Sequence, residues 1–153
     1  MRLTEYLNTH IIRIDYNNKN MNHNEFNKKW IGKQKDFDWS YWVQCVDWVR
    51  FYWKELWLNI GAFGWSAING WNTWCPFGKE WKRIEYKPWM YPRQWDILFW
   101  SENRCKYGHT WIANKFCNAN VLRYTDQNGT WKWDPFTARF TDYKHLLGWA
   151  TKI

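Results

Sequence analysis

Cys45 is placed where its thiol could act as a nucleophile. Apolar residues that recur at spacings of three and four predict a helix over residues 43–58. Cys45 would lie in the first turn of that helix, where the partial positive charge of the helix terminus favours a thiolate. A buried structural cysteine would fit the same amphipathic helix, so position alone leaves both interpretations open.

His109 is the candidate base for such a nucleophile, although a surface or core histidine is the alternative. It begins a strand-like run, and a hairpin turn near Asn118 would place it opposite Gln127 on the next strand. Asp126 and Asn128 flank that position and share one face of the strand. A carboxylate or an amide there could fix the tautomer and orientation of the imidazole.

Three acids surround Cys45 in the chain at a spacing that hard cations use. Oxygen ligands in an EF-hand come from loop positions 1, 3, 5, 7 and 12. Counted from Asp36, these are Asp36, Asp38, Ser40, the backbone carbonyl of Trp42, and Asp47. An ordinary EF-hand is not expected, because Tyr41 replaces its glycine and Asp47 replaces its bidentate glutamate. The acids could instead cap the helix or lie in solvent.

Helices are predicted in the first half of the chain. A short helix over residues 22–31 would end at Gly32, ahead of the main helix that contains Cys45. A further helical turn is predicted over residues 66–71. Residues 72–94 hold most of the prolines and are predicted to form an irregular connection.

Strands are predicted in the second half. They cover residues 95–100, 109–116, 121–127, 130–133 and 146–150. Asn128 and Gly129 predict a type I′ hairpin turn. The order of elements indicates an α+β fold, with N-terminal helices packed on an antiparallel meander.

Composition limits the classes of protein. The 153 residues suit one domain, and an aromatic content of 23%, with 17 Trp, excludes a disordered chain. The tryptophans would fill the core, or would form a surface that stacks on sugars or bases. The net charge of +8 favours polyanions such as nucleic acid, anionic membranes or the teichoic acids of a bacterial wall.

The cysteines and the apolar segments give further limits. Four cysteines occur without a CxxC pair (Cys45, Cys75, Cys105 and Cys117), so a structural zinc site is not expected. Free thiols in a reducing compartment are predicted, with a Cys105–Cys117 pair as the alternative. No apolar run is long enough to span a membrane, and the N-terminus lacks the apolar core of a secretory signal.

Six short motifs occur together in the chain. They are QCVD at 44–47, GWSA at 64–67, WDILFW at 95–100, GHT at 108–110, DQN at 126–128 and LGW at 147–149. In this order and spacing they resemble the CHAP family, the cysteine- and histidine-dependent amidohydrolases/peptidases. The resemblance covers residues 22–153, a CHAP-like catalytic domain, and leaves residues 1–21 as an N-terminal extension.

The resemblance implies a papain-like fold and hydrolysis of an amide bond in bacterial peptidoglycan. Cys45 would be the nucleophile and His109 the general base, which Asp126 or Asn128 would orient. Gln44 would contribute to the oxyanion hole beside the Cys45 backbone N–H. The family often has Glu where Asp126 stands, and Gly where Trp95 stands.

The resemblance also implies a metal. Calcium-binding CHAP domains place two acids before the cysteine, one acid after it, and two backbone carbonyls between. Asp36, Asp38, Ser40, Trp42 and Asp47 would therefore hold a structural calcium ion beside the start of the helix. No organic cofactor is expected.

A phage lysin that cleaves peptidoglycan is the leading interpretation of the sequence. It would leave the host cytoplasm through a holin or travel in the virion, with anionic wall polymers and other virion proteins as further partners. The alternative is a catalytically silent module that binds the wall or has a structural role in the virion. Nucleic-acid binding is not expected, because the basic residues form no dense run and no nucleic-acid motif occurs.

Overall fold

The computed structural model describes residues 21–37, 44–56, 66–74, 78–115, 117–130 and 134–153. Predictions for residues 1–20, for the strand segment 131–133 and for Cys75 lie outside these ranges. None of the helices in the described part of the chain has the length and apolar character that a membrane-spanning segment requires.

Helix α1, His23–Trp30, begins and ends as its sequence predicts. The Asn22 side chain accepts a hydrogen bond from the Glu25 backbone N–H at 3.1 Å, and the Glu25 carboxylate accepts from the Asn22 N–H at 2.8 Å. This reciprocal cap satisfies two donors that a helix terminus otherwise leaves unpaired. Gly32 follows the helix with a φ of 81°, a conformation that glycine adopts without steric cost.

Helix α2, Cys45–Glu55, is shorter than predicted, but its first turn does contain Cys45. The carboxylate of Asp47 accepts a hydrogen bond from the Gln44 backbone N–H at 2.8 Å, which fixes the start of the helix. Two shorter pieces follow, α3 at Ala67–Asn69 and a π-helical turn at Gly70–Trp74, where a single helical turn is predicted.

Six strands of the described residues form one antiparallel sheet. They are β1 Trp81–Glu85, β2 Ile97–Trp100, β3 His109–Ala113, β4 Leu122–Asp126, β5 Thr137–Thr141 and β6 Leu146–Lys152. The strand order is β1-β6-β2-β3-β4-β5. The predicted meander is present as β2 to β5, and β6 returns to pair with the free edge of β2. The α+β prediction is therefore confirmed.

Two strands were missed, because each lies at an edge of the sheet. β1 falls in the proline-rich segment predicted to be irregular. β5 leaves its side chains half-buried or exposed, with Phe140 at 77% exposure, so its sequence carries no apolar signal. The predicted strand 130–133 is wrong at Thr130, which lies in a turn.

The predicted type I′ turn at Asn128 and Gly129 is also wrong. Such a turn needs a positive φ at both residues, and only Asn128 has one, at 57°. Asp126 pairs with Thr137, so a ten-residue connection joins the strands instead of a two-residue turn. The NG pair forms part of a longer loop that brings Asn128 into the interior, where it is 6% exposed.

The apolar core lies on both faces of β2. Ile97 and Phe99 point toward the helices, while Leu98 and Trp100 join a second cluster on the opposite face. A strand that is buried on both faces has a continuous apolar sequence rather than an alternating one. Among the tryptophans that the structure describes, the most completely buried are Trp48, Trp53, Trp100, Trp111 and Trp149, which confirms core filling for these positions.

Candidate active site

Cys45 and His109 come together because helix α2 packs against strand β3. His109 is the first residue of β3 and is 3% exposed. Gly108 before it has a φ of 66°, and a Cβ at that position would lie 2.7 Å from the carbonyl oxygen of Trp100. Only glycine fits this approach, which explains the GlyHis pair in steric terms.

The charge of His109 is controlled by its neighbours. Burial alone would lower the pKa of its imidazole, but the Cys45 thiolate and hydrogen bonds to Asp126 and Cys45 raise that pKa to about 9. An imidazolium and a thiolate in contact stabilise each other. A thiol in contact with an imidazole is the pairing that nucleophilic cysteine catalysis requires.

Asp126 supplies the carboxylate of the candidate site. Its Oδ2 lies 3.4 Å from Nε2 of His109, a long hydrogen bond, and Asp126 is 1% exposed. The pairing of β3 with β4 lies one residue from the predicted register, since Ile112 pairs with Thr125. The contact is still made, because Asp126 projects toward the imidazole from the end of β4.

Arg139 on β5 is a site residue that the sequence prediction missed. Its Nε donates to Oδ1 of Asp126 at 3.0 Å, while its terminal nitrogen pairs with Asp134. Each carboxylate oxygen of Asp126 therefore has a partner, His109 at Oδ2 and Arg139 at Oδ1. Gly129 leaves room for this carboxylate, because a Cβ at position 129 would lie 2.2 Å from Oδ2 of Asp126.

The other two polar residues predicted for the site are Asn128 and Gln44. In the chain, Asn128 lies two residues after Asp126, and Gln44 lies directly before Cys45. The Asn128 backbone N–H donates to the carbonyl oxygen of Asp134 at 3.0 Å. The carboxylate contact to His109 comes from Asp126. Gln44 precedes the first turn of α2, whose backbone N–H groups have no partner within the helix.

Three of the five predicted calcium ligands, Asp38, Ser40 and Trp42, lie outside the residues that the structure describes. Asp36 is half-buried, and Asp47 is 1% exposed. Oδ2 of Asp47 accepts the Gln44 N–H, and its Oδ1 lies 4.0 Å from Arg50. A carboxylate oxygen can accept more than one partner, so these contacts are compatible with calcium ligation. In the described residues no group of three or more metal-ligating side chains occurs.

Trp95, where the resemblance leads one to expect glycine, has a φ of 86°. This is the left-handed region, which costs a residue with a Cβ roughly 1–2 kcal/mol. The indole stacks on the buried imidazole of His23, with the ring centroids 5.7 Å apart. The position is therefore one that favours glycine and is occupied by a tryptophan that packs on α1.

The fold is similar to that of a solved endolysin. The crystal structure of wild-type endolysin LysIME-EF1 matches with a TM-score of 0.70 and 21% sequence identity, over 83% of this chain. The chain spans 61% of the length of that endolysin chain. No family model and no curated protein matches the sequence. At this identity the likeness establishes the lysin-like fold.

Proposed function

We propose that the protein is a peptidoglycan hydrolase of the CHAP type, with Cys45 as nucleophile, His109 as acid and base, and Asp126 as the residue that orients the imidazole. The observation that carries this proposal is the buried contact of His109 with both Cys45 and Asp126 at the start of α2. The fold shared with an endolysin supports it.

In the first half of the reaction, the thiolate of Cys45 attacks the carbonyl carbon of a wall amide. The oxyanion that forms is stabilised by the Cys45 backbone N–H and the side chain of Gln44. The imidazolium of His109 gives its proton to the leaving amine, the C–N bond breaks, and a thioester remains on Cys45.

In the second half, His109 is neutral and takes a proton from water, which attacks the thioester carbonyl. The C–S bond breaks, the carboxylic acid product leaves, and the thiolate and imidazolium are restored. The bond cleaved is the N-acetylmuramoyl–L-alanine amide or a peptide bond of the stem or cross-bridge. A virion or a holin-dependent release route would bring the enzyme to this substrate.

Clearing of Gram-positive cell walls tests the proposal. The wild-type protein and Cys117→Ala, a substitution at the β3–β4 hairpin, should lower turbidity at similar rates, and Cys45→Ala should have no activity. Mass spectrometry of the released muropeptides would then identify the bond, because new peptide amino termini indicate an endopeptidase. Full clearing by Cys45→Ala would refute the mechanism.

Thiol labelling tests the nucleophile without a substrate. Burial raises the pKa of Cys105 to about 11 and also raises the pKa of Cys117, so both stay protonated near pH 7. Iodoacetamide should therefore label Cys45 before Cys105 and Cys117. Equal labelling of Cys45, Cys105 and Cys117 would favour a silent wall-binding or virion module with the same fold.

A further inference from the structure

Gln127, the neighbour of Asp126, is completely buried and makes three hydrogen bonds to the backbone. Its Oε1 accepts from the Lys35 N–H at 3.0 Å, and its Nε2 donates to the carbonyl oxygen of Lys35 at 2.6 Å and to that of Gln44 at 2.9 Å. One amide nitrogen thus holds two backbone carbonyls that are nine positions apart in the chain.

The two residues that Gln127 contacts have distinct places in the fold. Gln44 is the residue that caps α2 and directly precedes Cys45. Lys35 stands on the other side of residues 36–43, the segment that holds most of the predicted calcium ligands. The side chain of Gln127 therefore fixes the start of the nucleophile helix to the end of strand β4.

Asp126, the last residue of β4, and Gln127, which directly follows it, thus contact His109 and the residue before Cys45. One short piece of backbone at the end of β4 therefore carries both contacts. The relative position of thiol and imidazole is then set by two adjacent side chains rather than by the helix packing alone.

We propose that Gln127 is a positioning residue, which holds the helix start so that the Cys45 thiol meets His109. The proposal rests on the proposed function for its catalytic meaning, but the geometry that it requires can be measured without a substrate. Correct placement matters because small displacements of a reacting group cause large losses of rate. Loss of the Nε2 donor should therefore separate the thiol from the imidazole.

Gln127→Met keeps the length of the side chain and removes both hydrogen-bonding groups. We expect iodoacetamide to react with Cys45 at least tenfold more slowly at pH 7. Wall clearing should lose kcat with little change in KM. Gln94→Met is the matched control, because the Gln94 amide makes a single 3.5 Å contact with Asn24, and it should react like wild type.

Gln127→Glu separates the donor from the acceptor. The carboxylate still accepts from the Lys35 N–H but faces two carbonyl oxygens without a proton to donate, so Cys45 should again lose reactivity. A purely structural role would lower the melting temperature of both variants and leave the rate of Cys45 labelling in the folded protein unchanged. That result would overturn the proposal.

Two further outcomes are informative. If wild-type protein fails to clear walls while Gln127→Met slows labelling of Cys45, the proposed function is wrong and the positioning role stands. If wild type clears walls and both variants label like wild type, the positioning role is wrong. Should neither variant fold, hydrogen exchange on wild type decides, because a Lys35 amide that exchanges at its intrinsic rate contradicts the contact.

Discussion

Oδ2 of Asp126 lies 3.4 Å from Nε2 of His109, and both side chains are almost completely buried. The imidazole also makes a side-chain contact with Cys45. The carboxylate contact thus fixes the orientation of the ring. This relationship determines the pH range in which the proposed pair can act.

Asp126→Asn should lower the pKa of His109. That pKa is about 9, because the Cys45 charge and the Asp126 carboxylate outweigh the opposing effect of burial. Activity requires the imidazolium as proton donor, so it is lost as the pH rises through this pKa. The variant should lose roughly a hundredfold or more in kcat/KM, and the alkaline limb of its pH profile should move to lower pH.

The matched control is Asp142→Asn, which removes an equal charge from an exposed turn. It should keep the wild-type pH profile of wall clearing. An Asp126→Asn variant whose alkaline limb does not move would show that the carboxylate has no influence on the imidazole.

Arg139→Met should lower both the stability of the protein and its activity, because Arg139 contacts Asp126 on the oxygen that His109 does not contact. The substitution removes the 3.0 Å bond to Oδ1 and leaves a buried carboxylate that is held by His109 alone. Charge-assisted hydrogen bonds contribute about 1.5–3 kcal/mol, and Arg139 is partly exposed, so we expect a loss of about 1–2 kcal/mol in unfolding free energy. Activity should fall by about tenfold.

Urea denaturation and wall clearing measure these two effects. Arg123→Met is the control, since Arg123 is an exposed arginine on the adjacent strand β4. Arg139→Lys keeps the charge but lacks the planar guanidinium group. Its stability and activity should lie between those of Arg139→Met and those of the control Arg123→Met. Equal behaviour of Arg139→Met and Arg123→Met would exclude a role for the Asp126 contact.

Local sequence patterns were sufficient to predict those helices and strands that have a strong apolar pattern. Helix α2 and strand β2 were predicted because their buried faces produce a helical period and a continuous apolar run. β1 and β5 are held to the sheet by backbone pairing at its edges, which leaves little trace in the side chains.

The candidate site was predictable to the extent that it depends on neighbouring strands. The hairpin of β3 and β4 brings Asp126 to His109, and its turn could be estimated from the chain. Arg139 could not be found in this way, because its strand was not predicted. Lys35 and Gln127 are 92 positions apart, a pairing that no local pattern encodes.

Trp95 allows the backbone strain to be measured by comparison of two substitutions. Trp95→Ala and Trp95→Gly both remove the stacking on His23, but only glycine adopts a φ of 86° without strain. We expect Trp95→Gly to be more stable than Trp95→Ala by about 1 kcal/mol in urea denaturation. At Trp89, which is exposed and lacks a positive φ, the alanine variant should be at least as stable as the glycine variant.

Calcium should stabilise the protein if the predicted ligands bind it. A ligand that binds only the folded state at a hundred times its Kd adds about 2.7 kcal/mol, which raises the Tm of a domain of this size by several degrees. Asp36→Ala combined with Asp38→Ala should abolish this rise. Glu80→Ala with Glu85→Ala, two exposed acids outside the predicted set, should keep it.

The same ion should influence the nucleophile, because the predicted ligand Asp47 fixes the start of α2 through the Gln44 N–H. Removal of calcium with a chelator should therefore slow the reaction of Cys45 with iodoacetamide in wild type. Added calcium should restore the rate, and the Asp36→Ala, Asp38→Ala variant should respond to neither. If Cys45 reacts equally fast with and without the chelator while the Tm still rises with calcium, the ion binds without influence on the thiol. An equal Tm rise in wild type and this double variant would show that the ion binds elsewhere.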